Sequence, residues 1–236
     1  MIIRVGLENG IEGRSLAWAL DFPGCFAYGK DANTALVSLP AALLQYERWV
    51  HQHTPAPWVS LGNFDIRLVD AWEDYKINAA FEEADEGIEV KAWFLDDWRP
   101  LSAEEIERGL LMLDWSRADL RSIVSGLDDA SLDAPRGDPD WTVRKVLAHI
   151  ASTEAWYLDR LDWRQAGKPD PSGCLDEVRS ELSRQLAALG DRRLVSGKDG
   201  EFWSPRKLLR RALWHERDHT RHILKLLGLL VEETAG

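Results

Sequence analysis

Residues 214–223 read WHERDHTRHI. At about 100° per residue, His215 and His219 fall about 40° apart on a helical wheel and one turn apart along the axis, and His222 lies about 20° from His215. Extending the stripe both ways gives Leu208, Ala212, His215, His219, His222 and Leu226. Spacings of four and three mark the seam that faces the interior of a helix bundle, so imidazoles occupy core positions. An uncompensated polar ring in a core costs about 1–3 kcal/mol. A metal ion removes that cost, because each neutral ring nitrogen becomes a ligand. Histidines near a helix C-terminus also complement the macrodipole, a role that suits His222.

Working outward, the helix that carries this stripe starts well: Ser204 is an N-cap and Pro205 sits at the first helical position. Three further amphipathic stretches precede it. One begins at Ser102, with Glu105 three residues on as a capping box, and repeats apolar residues at Ile106, Leu110, Leu113, Leu120 and Val124. The next is capped by Thr142 or Asp140, carries Val146, His149, Thr153, Trp156 and Arg160 along one stripe, and is ended by Gly167 and Pro169. The third is SGCLDEVRSELSRQLAALG, residues 172–190. Four such segments predict an all-α four-helix bundle over residues 99–236. A lone histidine on an apolar face is ordinarily a hydrogen-bonded core residue. His149, however, faces the pair at 215 and 219 across the predicted bundle. Three imidazoles plus solvent form an open metal site of the catalytic type.

His215-Glu216-Arg217-Asp218-His219 also fits H-E-x-x-H, the zinc-protease helix motif. That reading needs a further ligand beyond the helix, for which Glu232 and Glu233 are available, and a neighbouring sheet to bind substrate. Helices surround the motif here, and the strand-rich part of the chain lies more than about a hundred residues upstream. Glu216 is accordingly expected at the surface or beside the site rather than as a general base. Trp156 and Arg160 follow the inward stripe and are candidates to line the pocket, although packing explains Trp156 equally well.

Residues 1–98 have a different period and predict an α+β domain, a small antiparallel sheet with one helix. Ile2–Leu7 and Ser15–Phe22 are strand-like, with Asn9-Gly10 as the hairpin turn signal. Pro23-Gly24 marks a turn and Cys25–Tyr28 a third strand. A helix follows, capped by Asp31, with Pro40 as a kink or a late start. Phe64–Trp72 and Ile88–Leu95 read as two more strands. His51 and His53, two residues apart after that helix, read as solvent-exposed.

The 236 residues carry a net charge of −11, concentrated in the first half, which argues against a nucleic-acid partner. The 45% hydrophobic content supports packed cores without any apolar run of membrane-spanning length, and 12 tryptophans are expected mainly to fill those cores. The N-terminus lacks a secretory pattern. Cys25 and Cys174 form no disulfide framework, which suits a reducing cytoplasm.

Two stretches carry resemblances. DWTVRKVLAHIASTEAWYLDRLD and SPRKLLRRALWHERDHTRHI together resemble the DinB/YfiT-like superfamily, in the tryptophan–hxxVLxH–aromatic pattern and the HxxxH helix. The resemblance spans about residues 100–228. It implies a four-helix bundle with His149, His215 and His219 as ligands of a divalent metal, zinc or nickel above all, and a homodimer. His222 falls outside that triad. The segment ALDFPGCFAYGKDANTALVSLPAAL resembles the HicB-like antitoxin fold over roughly residues 1–55, and more loosely to 98, which implies a domain that binds a protein partner. No basic DNA-binding segment follows it. Relatives of the bundle include thiol-dependent S-transferases and a mycothiol-dependent isomerase. The expectation is a metal-dependent enzyme joining a low-molecular-weight thiol to a small electrophile. The alternative is a non-enzymatic, metal-stabilised scaffold or sensor whose HicB-like half binds a partner.

Overall fold

The computed structural model describes residues 1–164, 174–190 and 192–230. They divide into two compact units, Met1–Pro100 with Arg193–Arg210, and Leu101–Arg192 with Arg211 onward. Gly167 and Pro169 lie outside the described residues.

The first unit is built on strands β1 (Ile2–Ile11), β2 (Arg14–Ala19), β3 (Phe26–Gly29) and β4 (Asp65–Glu73), in the order β3-β2-β1-β4. The sheet is mixed, not antiparallel as expected: β1–β2 and β2–β3 are antiparallel, but β4 runs parallel to β1. The cause is the helix α1 (Ala32–His53), which carries the chain across the sheet between β3 and β4 so that β4 enters from the same end as β1. Period-2 patterning fixes which residues face inward and says nothing about strand direction.

The hairpin turn also moves. Ile11 pairs with Arg14, so the loop is Glu12-Gly13, and both residues have positive φ (50° and 73°), as a type I′ turn demands. Gly10 instead occupies the register shift between Asn9 and Ile11, a bulge with φ 92°.

Asp31 caps α1, its Oδ1 accepting from the Thr34 N–H at 2.8 Å. Helix α1 begins at Ala32 and continues through Pro40. It buries Ala35, Leu39, Leu43, Tyr46 and Val50, a spacing of four and three. Tyr46 Oη donates to the Pro23 carbonyl at 3.1 Å. His51 is exposed as expected and His53 is half-buried; their ring nitrogens meet the Val59 and Trp49 carbonyls at 2.8 and 2.9 Å.

Short hairpins β5 (Tyr75–Ile77) with β6 (Ile88–Val90) and β7 (Ser196–Lys198) with β8 (Glu201–Trp203) complete the unit. The first turns of α6 (Pro205–Leu226) also belong to it, and there the cations Arg206, Lys207 and Arg210 are buried and each faces an acid. Lys207 Nζ donates to the Phe202 carbonyl at 3.1 Å and lies 3.5 Å from Glu201 Oε1. Arg210 Nη2 meets Asp97 Oδ2 at 2.6 Å, and Arg206 Nη1 lies 3.7 Å from Asp96 Oδ2.

The second unit is helical. Helix α2 (Ala103–Val124) starts at the predicted box, Glu105 N–H donating to Ser102 Oγ at 3.2 Å and Ser102 N–H to Glu105 Oε2 at 2.8 Å. A short α3 (Asp129–Asp133) precedes α4 (Val143–Arg160), capped by Thr142, and α5 (Leu175–Ala187) follows. The remainder of α6 completes the unit. Leu120, Val143, Val146, Ile150, Ile223 and Leu226 form one buried cluster contributed by α2, α4 and α6. Among the described residues, no helix is long and apolar enough to cross a membrane.

Candidate metal centre

Helix α4 buries Val143, Val146, Ile150, Glu154, Tyr157 and Leu158, a face that rotates slightly away from the stripe read in the sequence. His149 and Thr153 end up half-buried at its margin. Trp156 points outward, 41% exposed, with the Arg160 guanidinium 4.6 Å over its ring. It is therefore not a lining residue. Positions 149, 153 and 156 lie within about 60° of one another on the wheel, and the buried face is centred to one side of them, so Trp156 falls furthest out.

On α6, His215 is buried and His219 half-buried. These two and His149 are brought together: their ligand atoms all lie within 4.8 Å of one another. The Nε2 atoms of His149 and His215 are 3.0 Å apart. Nitrogens sharing a tetrahedral zinc, each at about 2.0–2.1 Å, are separated by about 3.3 Å. The centroids of the three rings lie 4.4–4.9 Å apart.

The electrostatics suit a cation ligand set. Burial, followed by the neighbouring His219 and His149 and then Arg211, pushes the His215 pKa well below its ordinary value. Burial, then His149 and His222, lowers His219 to about 4. Neutral imidazole is the form that coordinates metal, and burial holds both rings in it. The Nδ1 atom of His219 is buried and has no hydrogen-bond partner among the described residues. A buried ring nitrogen left without a partner is costly in a purely structural core. All-imidazole donors match zinc and nickel better than calcium or magnesium. The residues present therefore fit a divalent transition metal.

The triad has an aromatic wall. Trp141 packs on three imidazoles at once, with centroids 5.4 Å from His149, 6.3 Å from His219 and 5.8 Å from His222. Its loop is held by Asp138, whose Oδ1 accepts the backbone N–H of Asp140 and of Trp141 at 2.9 and 3.2 Å. The other oxygen of Asp138 lies 3.8 Å from His222 Nε2. His222 is thus a rim residue tied to that loop, with its pKa lowered by burial against the opposing pull of Asp138. Tyr157 stands edge-on to His215 at 6.2 Å.

Glu216 lies beside the site and not at the surface. It is buried, and its Oε2 accepts from Arg117 Nε at 2.7 Å and lies 3.1 Å from Arg179 Nη2. The carboxylate that a zinc protease would use as a base is committed to two guanidinium groups. Glu232 and Glu233, the candidates for a protease's further ligand, lie outside the described residues.

Arg117 and Arg179 were not marked by the sequence reading, and Glu154 was noted only as sharing a helix with His149, yet all three are buried beside Glu216. A signal existed: Arg117 lies between the core residues Leu113 and Leu120, and Glu154 four residues beyond Ile150. Single charges in amphipathic helices usually face solvent, so the pattern alone does not separate them from surface positions.

Residues 113–201 match the family described as mycothiol maleylpyruvate isomerase N-terminal domain. That match contains His149 and ends before His215. The chain is similar to the Bacillus subtilis (strain 168) protein named "Putative metal-dependent hydrolase YfiT", 26% identical over 153 residues that make up 53% of this chain and 86% of that protein. A second protein named as such a hydrolase, from Geobacillus kaustophilus (strain HTA426), is 33% identical over 61 residues, 26% of this chain and 34% of its own length. No solved structure matches the chain. These similarities support the DinB-like superfamily for the helical part. The family match starts at residue 113 and so does not bear on the HicB-like resemblance of the first unit.

Proposed function

We propose that the helical unit is a four-helix bundle of DinB/YfiT type, and that His149, His215 and His219 hold a divalent metal, zinc or nickel, as the centre of a thiol-dependent S-transferase acting on small electrophiles. The observation that carries this reading is the convergence of three imidazoles from α4 and α6, their ligand atoms within 4.8 Å of one another. A divalent ion in such a site lowers the pKa of a thiol or water that reaches it, so that a nucleophile is available at neutral pH.

The chain's own residues do the rest. Burial keeps His215 and His219 unprotonated, so that protons do not compete for their nitrogens. Trp141 walls one side of the triad and Tyr157 stands against His215, which gives an apolar flank on which a small organic electrophile can rest. In the reaction the thiol sulfur forms a bond to the electrophilic carbon, the leaving group departs with its electron pair, and the thiol proton passes to solvent. The match to a family named for a mycothiol-dependent isomerase favours a thiol as the nucleophile.

Hydrolysis is the second reading, because the similar Bacillus and Geobacillus proteins are named as metal-dependent hydrolases. There, water takes the place of the thiol at the same three histidines. The HicB-like first unit is proposed to bind a protein partner, and the protein to work as a homodimer in the cytoplasm.

The test is turnover by metal-loaded protein with generic electrophiles and esters, with and without several low-molecular-weight thiols, beside His215→Ala. Thiol-dependent conjugation lost in the variant supports the transferase. Ester cleavage that needs no thiol, lost in the same variant, transfers the assignment to hydrolysis. Activity that survives His215→Ala in both assays removes the metal centre from the mechanism.

A further inference from the structure

We propose that Arg117, Glu154, Arg179 and Glu216 are positioning residues for the three-imidazole centre: a closed ring of alternating charge that sets the register of α4 against α6. The inference rests on the metal reading above. It starts from the ring's composition. Each of α2, α4, α5 and α6 contributes one member, and all four are buried. Each carboxylate meets both guanidinium groups. Glu154 takes Arg117 Nη2 on Oε2 at 3.0 Å and Arg179 Nε on Oε1 at 2.6 Å. Glu216 Oε2 takes Arg117 Nε at 2.7 Å and faces Arg179 Nη2 at 3.1 Å. The arginines also reach main chain, Arg117 Nη1 donating to the Leu175 carbonyl and Arg179 Nη1 to that of Leu113.

Two of the four members sit on the ligand helices. Glu216 follows His215 directly, and Glu154 lies on the same helix as His149, little more than one turn away. Apolar contacts tolerate sliding, whereas charge-assisted hydrogen bonds are directional. A slip of α6 by one residue shifts it about 1.5 Å along its axis and turns it about 100°. That single motion breaks both contacts of Glu216 and carries His215 off His149. A metal site tolerates errors of only about 0.2 Å in ligand distance. The ring and the triad therefore read the same coordinate, and the ring fixes it before any ion arrives. Buried ion pairs are a poor source of stability compared with apolar residues of the same volume, so a net-neutral ring at this place calls for a positional role.

The test compares four proteins beside wild type: Glu216→Asp, Arg179→Lys, the fourfold apolar variant Arg117→Met/Glu154→Leu/Arg179→Met/Glu216→Leu, and Leu186→Ala as a control that loosens α5 two turns beyond the ring. Each is titrated with Zn²⁺ and with Co²⁺, whose visible spectrum reports ligand geometry, and melted after chelation. The expected result is a loss of metal affinity of about 10- to 100-fold and an altered Co²⁺ spectrum in the ring variants. Leu186→Ala should melt lower and bind as wild type does. The fourfold variant is expected to fold, since it leaves no charge unpaired, so the proposal remains testable if a single substitution does not fold. Wild-type affinity and spectrum in the ring variants overturn the proposal, as does an equal loss in Leu186→Ala. Failure of wild type to take up either ion sinks the metal reading itself, and this inference with it.

Discussion

The Nε2 atoms of His149 and His215, residues 66 positions apart in sequence and on two different helices, face each other at 3.0 Å. Two neutral imidazoles in this pose share one proton at best, and two charged ones repel. A divalent ion would be held by the lone pairs of both rings together with that of His219. We expect about one zinc or nickel per chain by elemental analysis, and at least about a 100-fold loss of affinity in His149→Ala and in His215→Ala. Stoichiometric metal retained in His149→Ala would show that α4 is not part of the centre.

Trp141 touches three imidazoles, so its fluorescence should report the site directly. Co²⁺ or Ni²⁺ added to chelated protein should quench part of the emission, and Trp141→Phe should remove most of that quench while leaving metal affinity nearly unchanged. Trp214 adjoins His215, with centroids 5.9 Å apart, and accounts for a smaller remainder. An undiminished quench in Trp141→Phe would place the ion elsewhere.

The cluster of three imidazoles was legible because imidazoles at helical spacing in an apolar seam are anomalous residue by residue. So were the helix starts, where Ser102, Thr142 and Ser204 each accept the N–H expected of a cap. The direction of β4 was not legible, because alternation encodes a face and not a sense. The orientation of Trp156 was misread because the buried face of α4 is centred to one side of the stripe drawn through His149, and Trp156 is the outermost member of that stripe. The charge ring stayed invisible for a different reason: Arg117, Glu154 and Arg179 differ from surface residues only in having one another, and pairing across four helices is a tertiary fact.

At Gly29 the end of β3 meets the start of α1. A Cβ built there would lie 2.1 Å from the Ala35 amide nitrogen and 2.6 Å from the Thr34 carbonyl carbon, both backbone atoms that cannot rotate away. Gly29→Ala must therefore push the helix off the sheet, and should cost more than about 2 kcal/mol in urea denaturation. A cost below about 0.5 kcal/mol would mean that the junction is looser than its packing implies.

Acid sensitivity should separate the chelated protein from the metal-loaded one. The His219 pKa falls from the ordinary 6.5 to about 4, and that of His215 moves in the same direction. Below pH 6.5 the unfolded chain binds protons that the folded chain refuses, so stability rises with pH across this window. It is fully present above 6.5 and is lost as pH falls through 6.5 toward 4. For His219 alone the loss between pH 7.5 and pH 5 is roughly 2 kcal/mol. Bound metal holds the same rings unprotonated and extends the stable range downward. Urea denaturation of chelated protein at the two pH values should show this drop, and His219→Ala should reduce it. Chelated wild type that is as stable at pH 5 as at pH 7.5 would mean that the buried rings find proton acceptors in the folded state, and that their environment does not favour the neutral form that coordinates a metal.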